Sequence, residues 1–450
     1  MTVYYSLYGQ LLDINNLYKG FKKVKSAKGA AGIDGQSIGA FALNLEVNLK
    51  QLLLELQTKQ YRAQPVKRVE IPKDDGGVRL LGIPAVRDRI VQQALLNILQ
   101  PIFDIDFHPS SYGYRPKRSC HDAISKATVF IRKYHRDWVV DMDLSKCFDL
   151  LDHELIISSV KRKVTDGSIL RLLNQFLKSG VMIGNNWEAS TVGSPQGGVI
   201  SPLLANIYLD AFDQEMKRRN HRIVRYADDI LILCRTEEAA QKALTTATQI
   251  LEQDLKLTVN VKKTHIAHSS KGVKFLGVEI GSQWTRIQKS KLIGFKRKVK
   301  QLTKRNGGIN LAAVIKRLNP VVRGFVNYFS IANCKRELKA LAGWIRRRLR
   351  AIQLRLWKKP LRLHRRLKQL GKKPPFKCIK MNSWRNSLSP LSCVAMPNQW
   401  FEALGLYSME KVNTGWLASS AFRKHSLIEC EEYMSRIRGP YVRFCERDEA

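Results

Sequence analysis

Residues 222–233 read RIVRYADDILIL. Two adjacent acids, Asp228 and Asp229, lie between two runs of strand-forming apolar residues. Asp is depleted in strand interiors, and neighbouring carboxylates repel each other. The pattern therefore predicts two short strands joined by a tight turn at the acids. It also indicates a function that needs both carboxylates at that turn.

A second acidic strand, WVVDMDLS at residues 138–145, supplies a third carboxylate. Strand alternation places Asp141 and Asp143 on one face. Carboxylates converge where cations neutralise them, and an all-oxygen site completed by substrate phosphates suits Mg²⁺. Two such ions about 4 Å apart activate a 3′-hydroxyl and stabilise leaving pyrophosphate. Asp143, Asp228 and Asp229 therefore predict nucleotidyl transfer, although YADD taken alone is equally compatible with a surface turn.

The charge of the chain points to a polyanionic partner. The net charge is +39, and the stretch from Gly281 to Lys380 holds 30 Lys or Arg and one acid, Glu337. One-signed charge of this density predicts a nucleic-acid surface, with a solvated helix face and a membrane surface as weaker alternatives. The chain has no run of 18 apolar residues and no leader pattern, so we expect no membrane span and a cytoplasmic location. The eight cysteines form no CxxC pair, which predicts buried thiols and not a zinc site.

Periodicity divides the chain into an α+β portion and a basic helical portion. Helical spacing extends to about Gln60, and VKRVEIP, KDDGG and VRLLGIP then predict a hairpin. LTVNVKKTHI and VKFLGVEI predict two more strands, and strand patterns fade after Gly281. The predicted segments are residues 1–60, 61–280, 281–375 and 376–450.

Eight sequence blocks occur in a characteristic order over about residues 20–280. They are GIDGQS, YRAQPVKRVEIPKDDGGVRLLGIPAVRDRIVQQAL, FHPSSYGYRPKRSCHDAI, VVDMDLSKCFDLLDHELI, GSPQGGVISPLLANIYLDAFD, RYADDILIL, LKLTVNVKKTHI and VKFLGVEI. In these blocks the chain resembles the reverse transcriptases that group II introns encode, also called maturases. The later stretches GFVNYFS and WIRRRLRAIQLRLWKKP resemble the thumb, or maturase (X) domain, of that family.

The resemblance implies a right-hand polymerase of α+β class. Residues 1–60 form an N-terminal extension and the start of the fingers, and residues 61–280 form fingers and palm with an antiparallel sheet. Residues 281–375 form the α-helical basic thumb, and residues 376–450 form a small C-terminal segment that could bind target DNA.

The resemblance also implies roles for single residues. Asp143, Asp228 and Asp229 become the catalytic, metal-binding carboxylates, with Mg²⁺ as cofactor at two ions per site. The remaining roles are nucleotide binding by Lys73, Arg79, Phe148 and Gln196, primer or template binding by Arg115, Tyr226, Lys262 and Gly277, and RNA binding in the thumb by Arg346, Arg347 and Arg348. Lys262 is also expected to support the metal site. The Phe148 ring would exclude a 2′-hydroxyl, with ordinary core packing as its alternative. Replacing the three thumb arginines by Ala should weaken RNA binding and flatten its salt dependence.

The function that follows is an RNA-directed DNA polymerase that binds its intron RNA and assists splicing and mobility. Its partners are group II intron RNA, an RNA template with a DNA primer, dNTPs and target DNA. A splicing cofactor with vestigial polymerase activity and a domesticated defence-associated reverse transcriptase are the alternatives. Residues after 380 lack CxxC and His-x-x-x-His spacings, so we expect no endonuclease activity. The oligomeric state stays open, with a homodimer among the arrangements considered.

Overall fold

The computed structural model describes residues 2–72, 77–184, 186–190, 192–194, 197–376 and 387–415. The chain folds as two compact units and passes from the first to the second between Ser269 and Ser270. Among the described residues, no helix has the length and apolar character needed to cross a membrane.

Helices and strands alternate through the first unit. Its helices are α1 Tyr8–Leu11, α2 Ile14–Ala27, α3 Ile38–Leu43, α4 Leu45–Gln57, α5 Val86–Asp104, α6 Cys120–Arg132, α7 His153–Lys161, α8 Gly167–Lys178, α9 Ser201–Arg218 and α10 Glu237–Gln249. Its strands are β1 Val66–Pro72, β2 Val78–Ile83, β3 Trp138–Asp143, β4 Val181–Ile183, β5 Asn186–Glu188, β6 Arg222–Tyr226, β7 Asp229–Cys234 and β8 His265–His268.

Side-chain caps fix where several helices begin. Ser119 and Asp122 form a reciprocal capping box at the start of α6. Asp152 caps α7 through the amides of residues 154 and 155. Asp166 caps α8 and also accepts hydrogen bonds from the amides of Leu7 and Tyr8 at 2.8 Å. That last carboxylate therefore ties the N-terminal region to a helix far along the chain.

An antiparallel sheet in the order β6-β7-β3-β8 positions the acidic turn. Ile230, Ile232, Val140 and Met142 are fully buried in one core with the surrounding helices. The ladder pairs Val140 with Ile232 and Met142 with Ile230, and this register sets the position of the acids at the strand ends. A second sheet, β2-β1-β4-β5, is mixed, since β1 pairs with β2 antiparallel and with β4 parallel.

The second unit begins with a small sheet and continues in helices. Its elements are β9 Val273–Phe275, β10 Val278–Ile280, β11 Thr285–Ile287, α11 Lys289–Leu302, α12 Leu311–Phe329, α13 Lys335–Leu356, α14 Pro360–Gln369, α15 Pro390–Ala395 and α16 Asn398–Ala403. Phe295 of α11 stacks on Phe325 of α12 with ring centroids 4.0 Å apart. The Tyr328 hydroxyl donates to the Leu276 carbonyl at 2.8 Å, which joins α12 to the β9–β10 turn.

These elements confirm the predicted α+β class, and two details differ from expectation. The division between units precedes the compositional break near Gly281, because the β9–β11 sheet packs with the helices that follow it. LTVNVKKTHI is not one strand: residues 260–264 form a turn, with the Thr264 amide bonded to the Asn260 carbonyl, and only β8 extends.

Candidate active site

The acidic pair sits on a two-residue turn between β6 and β7. Tyr226 pairs with Asp229 across the ladder, which leaves Ala227 and Asp228 as the turn residues. Ala227 adopts a left-handed conformation with φ of 56°. A non-glycine residue rarely takes this conformation, because its Cβ approaches the backbone. Surrounding contacts must therefore hold the turn.

A buried ion pair beneath the turn supplies those contacts. Arg225 and Asp213 are both 0% exposed, and Arg225 Nη2 donates to Asp213 Oδ2 at 2.6 Å. Arg225 Nη1 donates to the Asn206 side chain at 3.1 Å and to the Ala227 carbonyl at 3.0 Å. Burial alone would lower the pKa of Arg225, but the charge and hydrogen bonds of Asp213 raise it. The guanidinium thus stays charged and anchors the turn from below.

The third carboxylate faces the turn across the sheet. Asp143, the last residue of β3, lies directly opposite Asp229 in the antiparallel register. Asp143 Oδ2 accepts a hydrogen bond from the side-chain Nδ2 of Asn260 at 2.9 Å and lies 3.3 Å from Lys263 Nζ. The structure therefore places Lys263 beside this acid, where the sequence pointed to Lys262. The turn at residues 260–264 decides which lysine faces the site.

Burial and the neighbouring acids raise the pKa values of Asp228 and Asp229. The pKa of Asp229 rises to about 7 because surrounding protein atoms desolvate the carboxylate and because Asp228, Asp141 and Asp143 are close by. The pKa of Asp228 is also raised, first by burial and then by Asp143. Like charges opposed across a ladder are destabilising, so the folded chain tolerates a repulsion that a bound cation would relieve.

The donor set fits a divalent cation by its chemistry. The resemblance to reverse transcriptases implies such an ion, and carboxylate oxygens are ligands that Mg²⁺ prefers. Among the residues that the structure describes, no group of three or more His, Cys, Asp or Glu side chains is placed so that it could hold a metal ion. The Lys263 ammonium beside Asp143 already provides one positive charge. The assignment of Asp143, Asp228 and Asp229 as ligands of the ion stays a prediction.

The repulsion predicts a pH dependence of metal-free stability. Asp229 titrates near 7 in the folded chain and has an ordinary value of 3.8, so it favours folding while protonated. That contribution is lost as pH rises from about 4 through about 7. Because the side chain is partly exposed, we discount the effect to about 1 kcal/mol, or about 2–4 °C in Tm. Asp229→Asn should raise the Tm by this amount at pH 8 in EDTA and leave it unchanged at pH 4. Parallel curves of Tm against pH for the native chain and Asp229→Asn would contradict the raised pKa of Asp229.

Phe148 lies next to the site in a short 3₁₀ helix, Cys147–Asp149, and is partly buried against the core. The loop after residue 192 docks on this segment. Ser194 N donates to the Phe148 carbonyl at 2.7 Å, and His153 Nε2 lies 2.6 Å from the Gly193 carbonyl. Gly193 has φ of 91°, and a Cβ there would lie 2.7 Å from the Asp149 carbonyl oxygen. Glycine is therefore required at this contact.

The structure places the other predicted nucleotide-binding residues unequally. Arg79 is exposed near the start of β2, and its positive charge acts to lower the pKa of Asp228. Burial and Asp143 act more strongly in the other direction, so the pKa of Asp228 is raised overall. Lys73 and Gln196 lie outside the described residues. Gly197, next to Gln196, has φ of 110°, and a Cβ there would lie 2.4 Å from the Gly82 carbonyl oxygen. The loop is therefore held close to the end of β2.

Arg115, predicted to contact template or nucleotide, is bound to other residues of the chain in this structure. Its side chain is 4% exposed, and Nε donates to Asp104 Oδ1 at 2.7 Å. Nη1 donates to the His108 and Ser111 carbonyls at 3.0 Å, and Nη2 donates to the Asp104 carbonyl at 2.7 Å. These hydrogen bonds hold the guanidinium against Asp104 and its own loop. The preceding residue, Tyr114, reaches the site and was missed in the sequence.

The remaining predicted residues occupy the turn and the second unit. Tyr226 ends β6 beside the acids. Gly277 lies in the β9–β10 turn with φ of 82°. Arg346 forms two hydrogen bonds with Glu410, and Arg348 donates to Thr303 Oγ1 at 2.6 Å. Of the three thumb arginines, Arg347 is the exposed one.

Comparison with known proteins gives two family matches. Residues 71–280 match the reverse transcriptase (RNA-dependent DNA polymerase) family, and residues 293–371 match the group II intron maturase-specific domain. The chain is 35% identical over 329 residues to protein YkfC of Escherichia coli strain K12, covering 64% of this chain and 86% of that one. It is 30% identical over 376 residues to the group II intron-encoded protein LtrA of Lactococcus lactis subsp. cremoris, covering 69% of this chain. The chain spans 61% of LtrA, which is less than two thirds of that relative's length.

Proposed function

We propose a function from one premise: this chain belongs to the reverse transcriptase family, in the branch that carries a group II intron maturase-specific domain. It extends a DNA primer on an RNA template, and it binds the intron RNA to assist splicing and mobility. The observation that carries the first half is the opposition of Asp143 and Asp229 across β3 and β7, with Asp228 in the adjoining turn.

Two Mg²⁺ ions would be held by Asp143, Asp228 and Asp229. When bound, they would supply Lewis-acid activation of the primer hydroxyl and charge neutralisation at the leaving pyrophosphate. The chain's own contribution is to hold the acids in place. Arg225 fixes the turn through the Ala227 carbonyl, and Asn260 orients the Asp143 carboxylate. Preorganised groups of this kind reduce the reorganisation needed in the transition state.

The nucleotide would bind between the acids and the hairpin formed by β1 and β2. Arg79 and Lys73 would grip the triphosphate as charge-assisted donors. The Phe148 ring would exclude the 2′-hydroxyl of a ribonucleotide, and Gln196 would lie against the sugar. The exposure of Arg79 and its electrostatic effect on Asp228 support this arrangement.

A direct test of the polymerase half is incorporation of labelled dNTPs into a DNA primer on an RNA template. Incorporation should require Mg²⁺ and stop in EDTA. For the splicing half, intron excision from a precursor RNA should accelerate when the chain is added at low Mg²⁺. Tight RNA binding without primer extension or accelerated excision would contradict both activities and leave only an RNA-binding protein.

The basic helices of the second unit would bind the intron RNA. In α14 the apolar residues Leu363 and Leu367 are buried, whereas Arg362, Arg365 and Lys368 are exposed. This helix therefore presents cations opposite its packed face, and their charges are available to phosphates. The C-terminal segment would contact target DNA.

Replacing Arg362, Arg365 and Lys368 together by Gln should weaken RNA binding and reduce the slope of log K against log salt by about 2, at about 0.7 for each phosphate contact. Filter binding across a salt series measures both quantities. The matched control replaces Lys217, Arg218 and Arg219 by Gln. It removes the same formal charge at the end of α9, where Arg218 and Arg219 already pair with Glu215. Equal effects of the two triple variants would argue against a binding surface on α14.

A further inference from the structure

Tyr114 lies in the connection between α5 and α6, and the residues on both sides of it are fixed. A Cβ on Gly113 would lie 2.3 Å from the Ala227 amide nitrogen, so the loop passes directly against the acidic turn. Asn206 Nδ2 donates to the Gly113 carbonyl at 2.9 Å. On the other side, Arg115 is bound to Asp104 and to two carbonyls of its own loop. The backbone at residue 114 therefore has little freedom.

The conformation of Tyr114 itself is unusual. Its φ is 57°, in the left-handed region that a non-glycine residue seldom occupies. Such conformations persist where the surroundings over-determine them, and they concentrate at functional sites. Here the constraint directs an aromatic ring to one place.

The ring of Tyr114 meets the ring of Phe148. Their centroids are 6.3 Å apart and the planes are inclined at 79°, an edge-to-face pair. Tyr114 is nevertheless 49% exposed, so it is not simply part of the core. Asp228 and Arg79 both act electrostatically on its phenol. An exposed aromatic ring thus stands among the acids, the candidate triphosphate-binding arginine and the ring that would contact the sugar.

We propose that Tyr114 is a positioning residue for sugar selection: its ring holds the Phe148 ring across the place where the nucleotide sugar binds. The inference rests on the proposed polymerase function and on the proposed role of Phe148. Phe148 belongs to a three-residue 3₁₀ helix and is only partly buried, so its ring needs support on the open side. Tyr114 gives that support through ring contact, which does not require its hydroxyl.

The test is the ratio of kcat/KM for a dNTP to that for the matching rNTP during extension of a DNA primer on an RNA template. Tyr114→Ala should lower this ratio by about two- to tenfold, the effect expected from losing one edge-to-face contact. Tyr114→Phe should leave the ratio unchanged, because the ring remains. Tyr134→Ala is the matched control. Tyr134 lies in the connection between α6 and β3, is 47% exposed and contacts the ring of Phe130 in α6. That substitution should leave the ratio unchanged.

A double-variant cycle separates failure of this inference from failure of the proposed function. If Tyr114 acts through Phe148, Tyr114→Ala has no further effect on the ratio in a Phe148→Ala background. A lowered ratio in Phe148→Ala with an unchanged ratio in Tyr114→Ala would overturn the inference and leave the function standing. Multiplicative effects in the double variant would overturn it as well. An unchanged ratio in Phe148→Ala would refute the role of Phe148 and this inference together. Tyr114→Leu replaces Tyr114→Ala if thermal unfolding shows the alanine variant to be misfolded.

Discussion

Asp228→Asn and Asp143→Asn are each expected to reduce primer extension at least about 1,000-fold, since several kcal/mol of charge stabilisation are lost and each 1.36 kcal/mol is tenfold in rate. The two substitutions keep the shape of the side chain and remove its charge. Single-turnover extension on an RNA template measures the loss without interference from product release. Asp228→Asn should not be less stable than the native chain in EDTA, because it removes a repelling charge, whereas Asp143→Asn also removes the ion pair with Lys263.

Asp210→Asn is the matched control for these variants. Asp210 also has a raised pKa, about 6, caused first by burial and then by Asp213, yet it accepts hydrogen bonds from the His108 amide and the Gln214 side chain. Its replacement should change extension by less than tenfold. A comparable loss in all three variants would indicate a general electrostatic effect and not a metal site at the turn.

Arg225→Ala should destabilise the first unit by about 3–5 kcal/mol, the usual result of leaving one partner of a buried ion pair without its counterpart. In a unit of this size the Tm should fall by roughly 6–20 °C. Asp213 would remain with 0% exposure and no guanidinium beside it, and the Ala227 carbonyl would lose its donor. Thermal unfolding and urea denaturation both measure the change.

Two further variants divide the roles of this pair. Arg218→Ala removes an exposed arginine from the same region, with a side chain 72% exposed, and should cost less than about 1 kcal/mol. Replacing Arg225 by Met and Asp213 by Leu together should recover much of the stability, since apolar pairs often substitute for buried ions. Extension should stay low in that double variant because the turn still lacks its anchor. Full recovery of both properties would contradict the positioning role.

The sheet and the acidic turn could be predicted because a single rule determines both. The apolar run at residues 230–234 of β7 is buried throughout and packs beside the buried apolar residues of β3, so the acids are left at the strand ends. The antiparallel pairing of β1 with β2 was predictable for a different reason, from the turn residues KDDGG between two strand-forming runs. The lysine beside Asp143 was not, since residues 260–264 form a turn where a strand was predicted, and the resemblance pointed to Lys262. Asn260 breaks the strand by bonding its side chain to Asp143.

The positioning groups were harder to predict than the reacting ones. Arg225 occupies an apolar strand and Asp213 an apolar helix, and a charged residue in such a setting is rarely buried without a partner. Each was visible in the sequence, but their pairing across twelve residues depends on how α9 packs on β6. For the same reason, the sequence did not show that Arg115 is bound to Asp104 and that Tyr114 contacts Phe148. Only the loop conformation shows which of the two side chains is anchored and which lies near the site.

The most direct test of the polymerase assignment is extension of a DNA primer annealed to an RNA template, with Mg²⁺ and dNTPs. The native chain and Asp228→Asn are purified in parallel. We expect template-dependent extension by the native chain and none above background by the variant. Extension that survives in the variant would place the active site elsewhere. No extension by either protein, while both bind structured intron RNA tightly, would contradict the polymerase assignment and leave an RNA-binding splicing cofactor.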